Sequence, residues 1–108
     1  MTDKIVVLCN CASAEEATTV ARHLVEERLA ACVNILPGVQ SIYHWQGAIE
    51  EATECTLLIK TRRHLFEALR HAVQKKHSYT LPELIAIPVV DGSSGYLEWI
   101  DHETLPPQ

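Results

Sequence analysis

Two cysteines near the N-terminus have the spacing of a pair of metal ligands. Cys9 and Cys11 end the apolar run Ile5–Cys11, whose β-branched residues without a helical period predict a buried strand. Residues i and i+2 of a strand share a face, so the two thiols should lie close together. Thiolates are soft ligands that suit copper(I) or zinc. Cysteine also packs as a small hydrophobic residue. Packing is favoured for Cys11, and both interpretations stay open for Cys9.

A histidine and a glutamate farther along the chain could complete such a site. His77 follows the basic pair Lys75-Lys76 at the end of a predicted helix and begins the loop before the last predicted strand. A loop histidine is freer to bind a metal ion than one on a packed helix. Glu83 could add an oxygen ligand, with a solvated carboxylate as the alternative. The candidate metal ligands are therefore Cys9, His77 and Glu83.

Other chemically capable residues have plainer explanations. His64, Glu67 and His71 share one side of a predicted helix, where a solvated face is favoured over a metal clamp. The segment Gly92–Gly95 offers backbone N–H groups to a phosphate, but a turn before a helix is the simpler interpretation. The sequence contains no Ser-His-Asp order, HExxH or GxSxG motif, and we therefore expect no enzyme activity.

Aromatic residues are placed where they could form contacts between subunits. Five of the six lie outside both main predicted helices: Tyr43, Trp45, Tyr79, Tyr96 and Trp99. Tyrosine and tryptophan supply large contact area together with a polar group. Packing at a subunit contact is favoured over a small-molecule cleft between subunits. Lys60, at the end of an apolar strand, could point into such a cleft or lie on the surface.

The hydrophobic pattern predicts the elements that position these residues. The predicted strands are Ile5–Cys11, Ala31–Leu36 with a continuation Val39–Trp45 after a break at Pro37-Gly38, Ala48–Lys60, and Glu83–Val90. Gln46-Gly47 has the composition of a hairpin turn. The predicted helices are one from Ser13, with the capping-box residue Glu16, to Arg28 or Leu29, one capped by Thr61 that ends at Lys75-Lys76-His77, and a short one over Tyr96–Ile100.

This order of elements defines the expected fold class. A strand, a helix, two strands, a helix and a strand form the βαββαβ ferredoxin-like arrangement, an α+β sandwich, here with a long hairpin and a short C-terminal helix. The 108 residues make one domain, 1–108, and the content of 47% hydrophobic and 21% charged residues excludes a disordered chain. The net charge of −5 has the opposite sign to that of a general nucleic-acid binder.

The N-terminal segment carries no predicted targeting signal. Its apolar run Ile5–Leu8 is shorter than the roughly 7–15 residues of a signal-peptide core and the roughly 20 of a membrane span. We therefore expect a cytoplasmic protein that does not enter a membrane. In that compartment the four cysteines stay reduced, and their spacing lacks the paired CxxC motifs of a structural zinc site.

Two features of the predicted sheet argue against a monomer. Both faces of the central strands are apolar, with Val6 and Leu8 opposite Ile5 and Val7, although the helices can cover only one face. The strand Ala48–Lys60 spans roughly 43 Å at about 3.3 Å per residue, whereas a domain of this length is roughly 34 Å across. Such an overhanging hairpin is expected to pair with another subunit.

The motifs of the chain together resemble one known family, from about Ile5 to Ile100. They are Leu29-Ala30-Ala31-Cys32-Val33-Asn34-Ile35, Pro37, Ser41-Ile42-Tyr43-x-Trp45-x-Gly47, Leu58-x-Lys60-Thr61, His77-x-Tyr79-x-x-Pro82-Glu83 and Gly95-Tyr96-Leu97-x-Trp99. This combination is similar to that of the CutA divalent-cation-tolerance proteins. The resemblance implies a ferredoxin-like fold, a compact homotrimer, and a part in the response to copper or other divalent metal ions.

The resemblance also has a gap at the candidate metal site. Relatives in this family can carry a second histidine beside the one that matches His77, and here that position is Lys76, which is no ligand while protonated. The expected function is a cytoplasmic trimer that binds copper or another divalent ion. The alternatives are a trimeric small-molecule sensor similar to the PII signalling proteins, or a scaffold that docks other proteins.

Overall fold

A single four-stranded antiparallel sheet forms the centre of the protein. The computed structural model describes residues 2–108. The strands are β1 (Lys4–Cys11), β2 (Cys32–Trp45), β3 (Ala48–Arg62) and β4 (Ile85–Pro88), in the spatial order β2-β3-β1-β4. The helices are α1 (Ala14–Glu26), α2 (Phe66–Lys76) and α3 (Ser94–Glu103), with a 3₁₀ turn Arg63–Leu65 before α2. The predicted α+β class and the predicted order of elements are confirmed.

Strand β1 separates the two faces of the sheet. Ile5, Val7, Cys9 and Cys11 are buried, whereas the residues between them are partly exposed from Val6 onward. The buried set belongs to the core that α1 and α2 cover, together with Leu57 of β3 and Leu69 of α2. Because side chains alternate along a strand, β1 sends its cysteines into this core and its even-numbered residues to the opposite face.

Helix α1 begins where the capping signal places it. The Ser13 hydroxyl accepts a hydrogen bond from the Glu16 N–H at 3.1 Å, which satisfies one of the free N–H groups of the first turn. Ala17, Val20 and Leu24 form the buried stripe. The helix ends at Glu26, before the predicted limit, because Arg28 adopts a left-handed conformation with φ 57°.

The hairpin of β2 and β3 is longer and more continuous than predicted. The expected break at Pro37-Gly38 is wrong, because β2 runs without interruption and absorbs both residues in a bulge between Leu36 and Val39. Gly38 accommodates the bulge with φ 70°. The predicted turn is confirmed, with Gln46 and Gly47 at φ 50° and φ 82°. The hairpin contributes to a molecule of 44 × 25 × 22 Å.

Three predicted boundaries are corrected by the structure. Thr61 caps no helix, because β3 continues to Arg62 and the buried Thr61 hydroxyl donates to the Leu29 carbonyl at 2.7 Å. The last strand is Ile85–Pro88 and not Glu83–Val90, and its residues pair with Ile5–Leu8 of β1. The C-terminal helix is longer than the predicted Tyr96–Ile100 and covers Ser94–Glu103.

Helix α3 covers one end of the face opposite α1 and α2. Lys4 and Arg62 pair across β1 and β3, and both reach the Asp101 carboxylate, at 2.8 and 3.3 Å. The Arg62 guanidinium also donates to the Thr104 hydroxyl and the Leu105 carbonyl, each at 2.9 Å. Arg62 is therefore the main polar anchor of the C-terminal segment.

The rest of this face and the hairpin tip leave large apolar side chains in solvent. On β4, Ile85 and Ile87 are 53% and 45% exposed, and on the hairpin Ile42 is 70% exposed. Single exposed apolar residues are ordinary, but a contiguous patch indicates a contact surface. In the part of the chain that the structure describes, no helix has the length and apolar character to cross a membrane.

Removing the Arg62 side chain should weaken the fold selectively. Arg62→Ala deletes the charged hydrogen bonds to the end of α3, and buried hydrogen bonds of this kind contribute about 1.5–3 kcal/mol. We expect the free energy of unfolding to fall by about 2–3 kcal/mol in denaturant titrations. The control is Arg70→Ala, which breaks an exposed pair with Glu67 and should cost at most about 0.5 kcal/mol. Equal losses in the two variants would contradict the anchoring role.

Asp3 should make the stability depend on acid pH. The hydrogen bond from Lys4 holds the pKa of Asp3 below its usual value of 3.8. A carboxylate whose pKa is lower in the folded than in the unfolded state stabilises the fold above its unfolded pKa, and that contribution is lost as the pH falls through its folded pKa. The free energy of unfolding should therefore decrease below about pH 4, with a shallower decrease in Asp3→Asn. An identical acid limb in both proteins would refute this contribution.

Candidate functional site

Two of the three predicted ligands come together, and a third donor joins them. The sulfur atoms of Cys9 and Cys11 and a ring nitrogen of His77 all lie within 4.8 Å of one another. Cys9 and Cys11 are at the end of β1, and His77 is the residue that follows α2. The structure thus places a thiol–imidazole cluster where the carboxyl end of the first strand meets the end of the second helix.

The strand register places both thiols inside the protein. Cys9 lies opposite Leu57 and Cys11 opposite Cys55 in the pairing of β1 with β3, and both β1 cysteines are fully buried. Their shared hydrogen bond, together with burial, raises the pKa of Cys9 well above that of a free thiol, and the same hydrogen bond lowers the pKa of Cys11. Cys9 is therefore held in the protonated, uncharged form that suits an apolar interior.

His77 is oriented by backbone groups on both sides of its ring. Its Nε2–H donates to the Asn10 carbonyl at 2.6 Å, and its Nδ1 accepts from the Tyr79 N–H at 3.0 Å. These partners assign a neutral ring with the proton on Nε2. The Tyr79 ring packs against it with the centroids 4.8 Å apart. One of the two hydrogen bonds must open before the ring can bind a metal ion.

Glu16 joins the start of α1 to the loop that carries His77. Its carboxylate accepts from the Ala12 N–H at 3.4 Å and from the Ser78 N–H at 3.1 Å, and it lies 3.8 Å from His77 Nδ1. Partial burial acts to raise the pKa of Glu16, but the hydrogen bonds from Ser78 and Ala12 outweigh it and lower the pKa. An ionised Glu16 therefore holds the loop at Ser78, the residue that follows His77.

Glu83, the third predicted ligand, lies apart from this cluster. It is exposed, and its Oε1 accepts a hydrogen bond from the Asn10 amide at 3.2 Å. Among residues 2–108, the side chains whose ligand atoms lie close enough to share a metal ion are Cys9, Cys11 and His77, so Cys11 takes the place predicted for Glu83. Cys11 lies beside Cys9, as its i, i+2 spacing predicts, although the sequence favours a packing role for it. Glu83 remains a predicted ligand that would have to leave Asn10.

A cleft opens on the other side of the same strand end. Its volume is about 830 Å³, and it lies between the hairpin tip and the loop that follows His77. Three predicted contact aromatics line it, Tyr43, Trp45 and Tyr79. A buried carboxylate also lines it, since Glu54 accepts from the Tyr79 hydroxyl at 2.6 Å. Sequence reasoning missed Glu54, whose only signal was an acidic residue inside the paired part of a strand.

The remaining candidates have ordinary structural partners. His64 Nε2 donates to the Leu105 carbonyl at 2.9 Å, and Glu67 pairs with Arg70, so these two residues of the predicted helical clamp are engaged elsewhere. Lys60 lies over the Tyr96 ring, with 5.9 Å from Nζ to the centroid. That ring stacks on Trp99 at 5.4 Å, away from the cleft.

The fold and the cluster together describe a small α+β protein with a thiol–imidazole group at the end of its sheet. The profile described as CutA1 divalent ion tolerance protein matches residues 5–103. The chain belongs to this family, which confirms the resemblance seen in the sequence.

Particular relatives agree with this assignment over almost the full chain. The divalent-cation tolerance protein CutA of Thermus thermophilus is 50% identical over 99 residues, which are 92% of this chain and 96% of the relative. The structure of the Thermus thermophilus protein superposes with a TM-score of 0.92 at 50% identity and covers 94% of this chain and 98% of its own. A CutA structure from Archaeoglobus fulgidus, described as a periplasmic divalent cation tolerance protein, gives a TM-score of 0.90 at 42% identity over 93% and 97%.

Proposed function

We propose that the protein binds copper or another divalent metal ion at the Cys9–Cys11–His77 cluster and so contributes to the response to such ions. The observation that carries the proposal is the approach of two thiols and one imidazole to within 4.8 Å. Membership of the divalent-cation tolerance family supports the same general role. Sulfur and imidazole ligands suit copper and zinc, and carboxylate or water ligands would suit magnesium and calcium.

Charge balance supports a metal ion at this buried position. Binding would release the thiol protons of Cys9 and Cys11, and two thiolates would then balance the charge of a divalent ion. An ion pair that is fully compensated avoids the large cost of an isolated buried charge. His77 would contribute a neutral nitrogen after giving up one backbone partner. Access from solvent requires a local movement of the loop that begins at His77.

Calorimetric titration with copper and with zinc under anaerobic conditions tests this site. Cys9→Ser, Cys11→Ser and His77→Ala should each weaken binding at least tenfold, because each removes one of three donors. The matched control is the double variant His64→Ala/His71→Ala, which deletes imidazoles on α2 and should bind as the wild type does. Glu83→Gln should weaken metal binding if Glu83 is a fourth ligand, and should leave it unchanged if the Glu83 carboxylate stays bonded to Asn10.

Two results would contradict the proposed metal site. Loss of binding only in the double α2 variant would move the site to the helix face. Unchanged binding in all variants would mean that the ions bind nonspecifically, and the sensor function would then be favoured. Circular dichroism of each variant separates a lost ligand from a lost fold.

We also propose that the protein acts as a homotrimer of ferredoxin-like protomers. The exposed apolar residues of β4 and of the hairpin support an assembly that buries them. The 44 Å long axis, against 25 and 22 Å across, supports a hairpin that extends toward another subunit. Trp45, 47% exposed near the hairpin turn, is suited to such a contact because interface cores are enriched in tryptophan.

Light scattering after size exclusion tests the assembly. The wild type should elute with three times the mass of the 12.1 kDa chain. Trp45→Ala should raise the monomer fraction or lower the melting temperature, because truncation of a central interface residue costs about 2 kcal/mol or more. Leu105→Ala, on a similarly exposed side chain of the C-terminal tail, is the control and should leave the mass unchanged. A stable wild-type monomer at micromolar concentration would refute the trimer.

We infer a cytoplasmic, non-enzymatic role without nucleic-acid or membrane partners. Four free cysteines suit a reducing compartment, although the relative from Archaeoglobus fulgidus is described as periplasmic. Fractionation of cells that express the native chain would decide the compartment. The alternative of a small-molecule sensor has its own support in the cleft beside Glu54, whose volume is that of a ligand site.

A further inference from the structure

The cleft beside Glu54 contains a buried carboxylate with unused hydrogen-bonding capacity. Glu54 is only 6% exposed, and Tyr79 donates to its Oε2. Among residues 2–108, no side chain or backbone group donates to its other oxygen, Oε1. Every fully buried polar side-chain atom in that range has a hydrogen-bond partner, so Oε1 is not fully buried. Oε1 therefore faces the open cleft. A carboxylate with so little solvent around it is stabilised most by a positively charged donor.

The charge of the cleft wall has one sign. Glu54 and Glu83 both line it, and among residues 2–108 the lining includes no lysine or arginine, with His44 as its only basic side chain. Glu83 uses one carboxylate oxygen for Asn10 and keeps the other for a ligand. Two carboxylates without a resident cation produce a negative potential inside a concave surface, where field lines are focused. The potential selects a cationic ligand and repels an anionic one.

The other walls of the cleft are aromatic and apolar. Tyr43, Trp45 and Tyr79 provide rings, and Ile42 and Leu81 provide aliphatic surface. Aromatic faces attract cations and also bury the hydrocarbon or ring that carries the charge. A hydrated metal ion or a bare inorganic cation would leave this surface unused. The volume of about 830 Å³ is also larger than such an ion requires.

We propose that this cleft binds a small organic ammonium ion, an amine carried on an aromatic or aliphatic body. The ammonium group donates to Glu54 Oε1 and to the free oxygen of Glu83, and the body packs against Tyr43 and Leu81. The site is on the face of β1 opposite the thiol cluster, so the proposal stands whether or not that cluster binds metal.

Tyr79 fixes the orientation of the buried carboxylate. The Tyr79 hydroxyl donates to Glu54 Oε2 at 2.6 Å, which leaves Oε1 directed to the cleft. Tyr79 is a positioning residue for the ammonium site.

Calorimetry at neutral pH with three matched probes tests the proposal on the purified assembly. 2-Phenylethylamine should bind, 2-phenylethanol should bind at least tenfold more weakly, and 3-phenylpropionate should not bind. The three share a phenyl group and differ in the charge at the other end. Two-dimensional amide NMR should place the shifts caused by the amine at Tyr79 and Leu81 and along the hairpin tip.

Charge-neutral variants locate the ammonium contact. Glu54→Gln and Glu83→Gln should each weaken amine binding at least tenfold while binding of the alcohol stays unchanged. The control is Glu67→Gln, which removes one negative charge from an exposed position on α2 and should bind the amine as the wild type does. Because Glu83 is exposed, its variant tests the site even if Glu54→Gln fails to fold.

Three outcomes would overturn the proposal. Equal affinity for the amine and the alcohol would mean that charge is not recognised. Unchanged amine binding in Glu83→Gln, together with shifts outside the cleft, would place the binding elsewhere. No binding of the amine at millimolar concentration would mean that the assembled protein leaves no room there, as expected if a side chain of a second copy fills the cleft.

Discussion

The alternation of side chains along β1 is the constraint on which both candidate sites depend. Cys9 and Cys11 point into the core under α1 and α2, and Asn10 points to the opposite face. A shift of one residue in the pairing with β3 would exchange the two sets and put both thiols on the outer face. The buried β1 residues Ile5 and Val7 hold the register, since they would be exposed by the same shift.

Asn10 connects the two faces of the sheet. Its backbone carbonyl accepts from the His77 ring, and its side chain bonds Glu83 and the Thr56 hydroxyl, at 3.2 and 2.7 Å. The imidazole of the thiol cluster and an acidic group of the cleft are thus held by the same residue. The loop from His77 to Glu83 contains no strand or helix. Its position therefore depends on side-chain contacts such as these. Loss of either hydrogen bond at Asn10 would therefore change the structure on both faces of the sheet.

Local signals predicted the elements well, and long-range pairings account for what they missed. The Ser13 cap, the Gln46-Gly47 turn and the proximity of Cys9 to His77 follow from residue spacing and strand order. Thr61 shows the limit of such signals, because its hydroxyl bonds the distant Leu29 carbonyl and not the start of a helix. The Glu54 site depends likewise on Tyr79, in a loop on the other side of the second helix. No local pattern in the sequence encodes either contact.

Protonated thiols allow the proposed metal site to lie inside a stable core. A neutral cysteine packs as a small apolar residue, so Cys9 and Cys11 add to the core while they are protonated. The raised pKa of Cys9 keeps that thiol protonated at neutral pH. In the proposed site, an arriving ion would displace the protons and compensate the negative charge of the thiolates. A pair of carboxylates in the same position would require compensation at all times, because they are ionised at neutral pH. Burial at this position therefore favours thiols over carboxylates, in addition to any preference of the metal ion for sulfur.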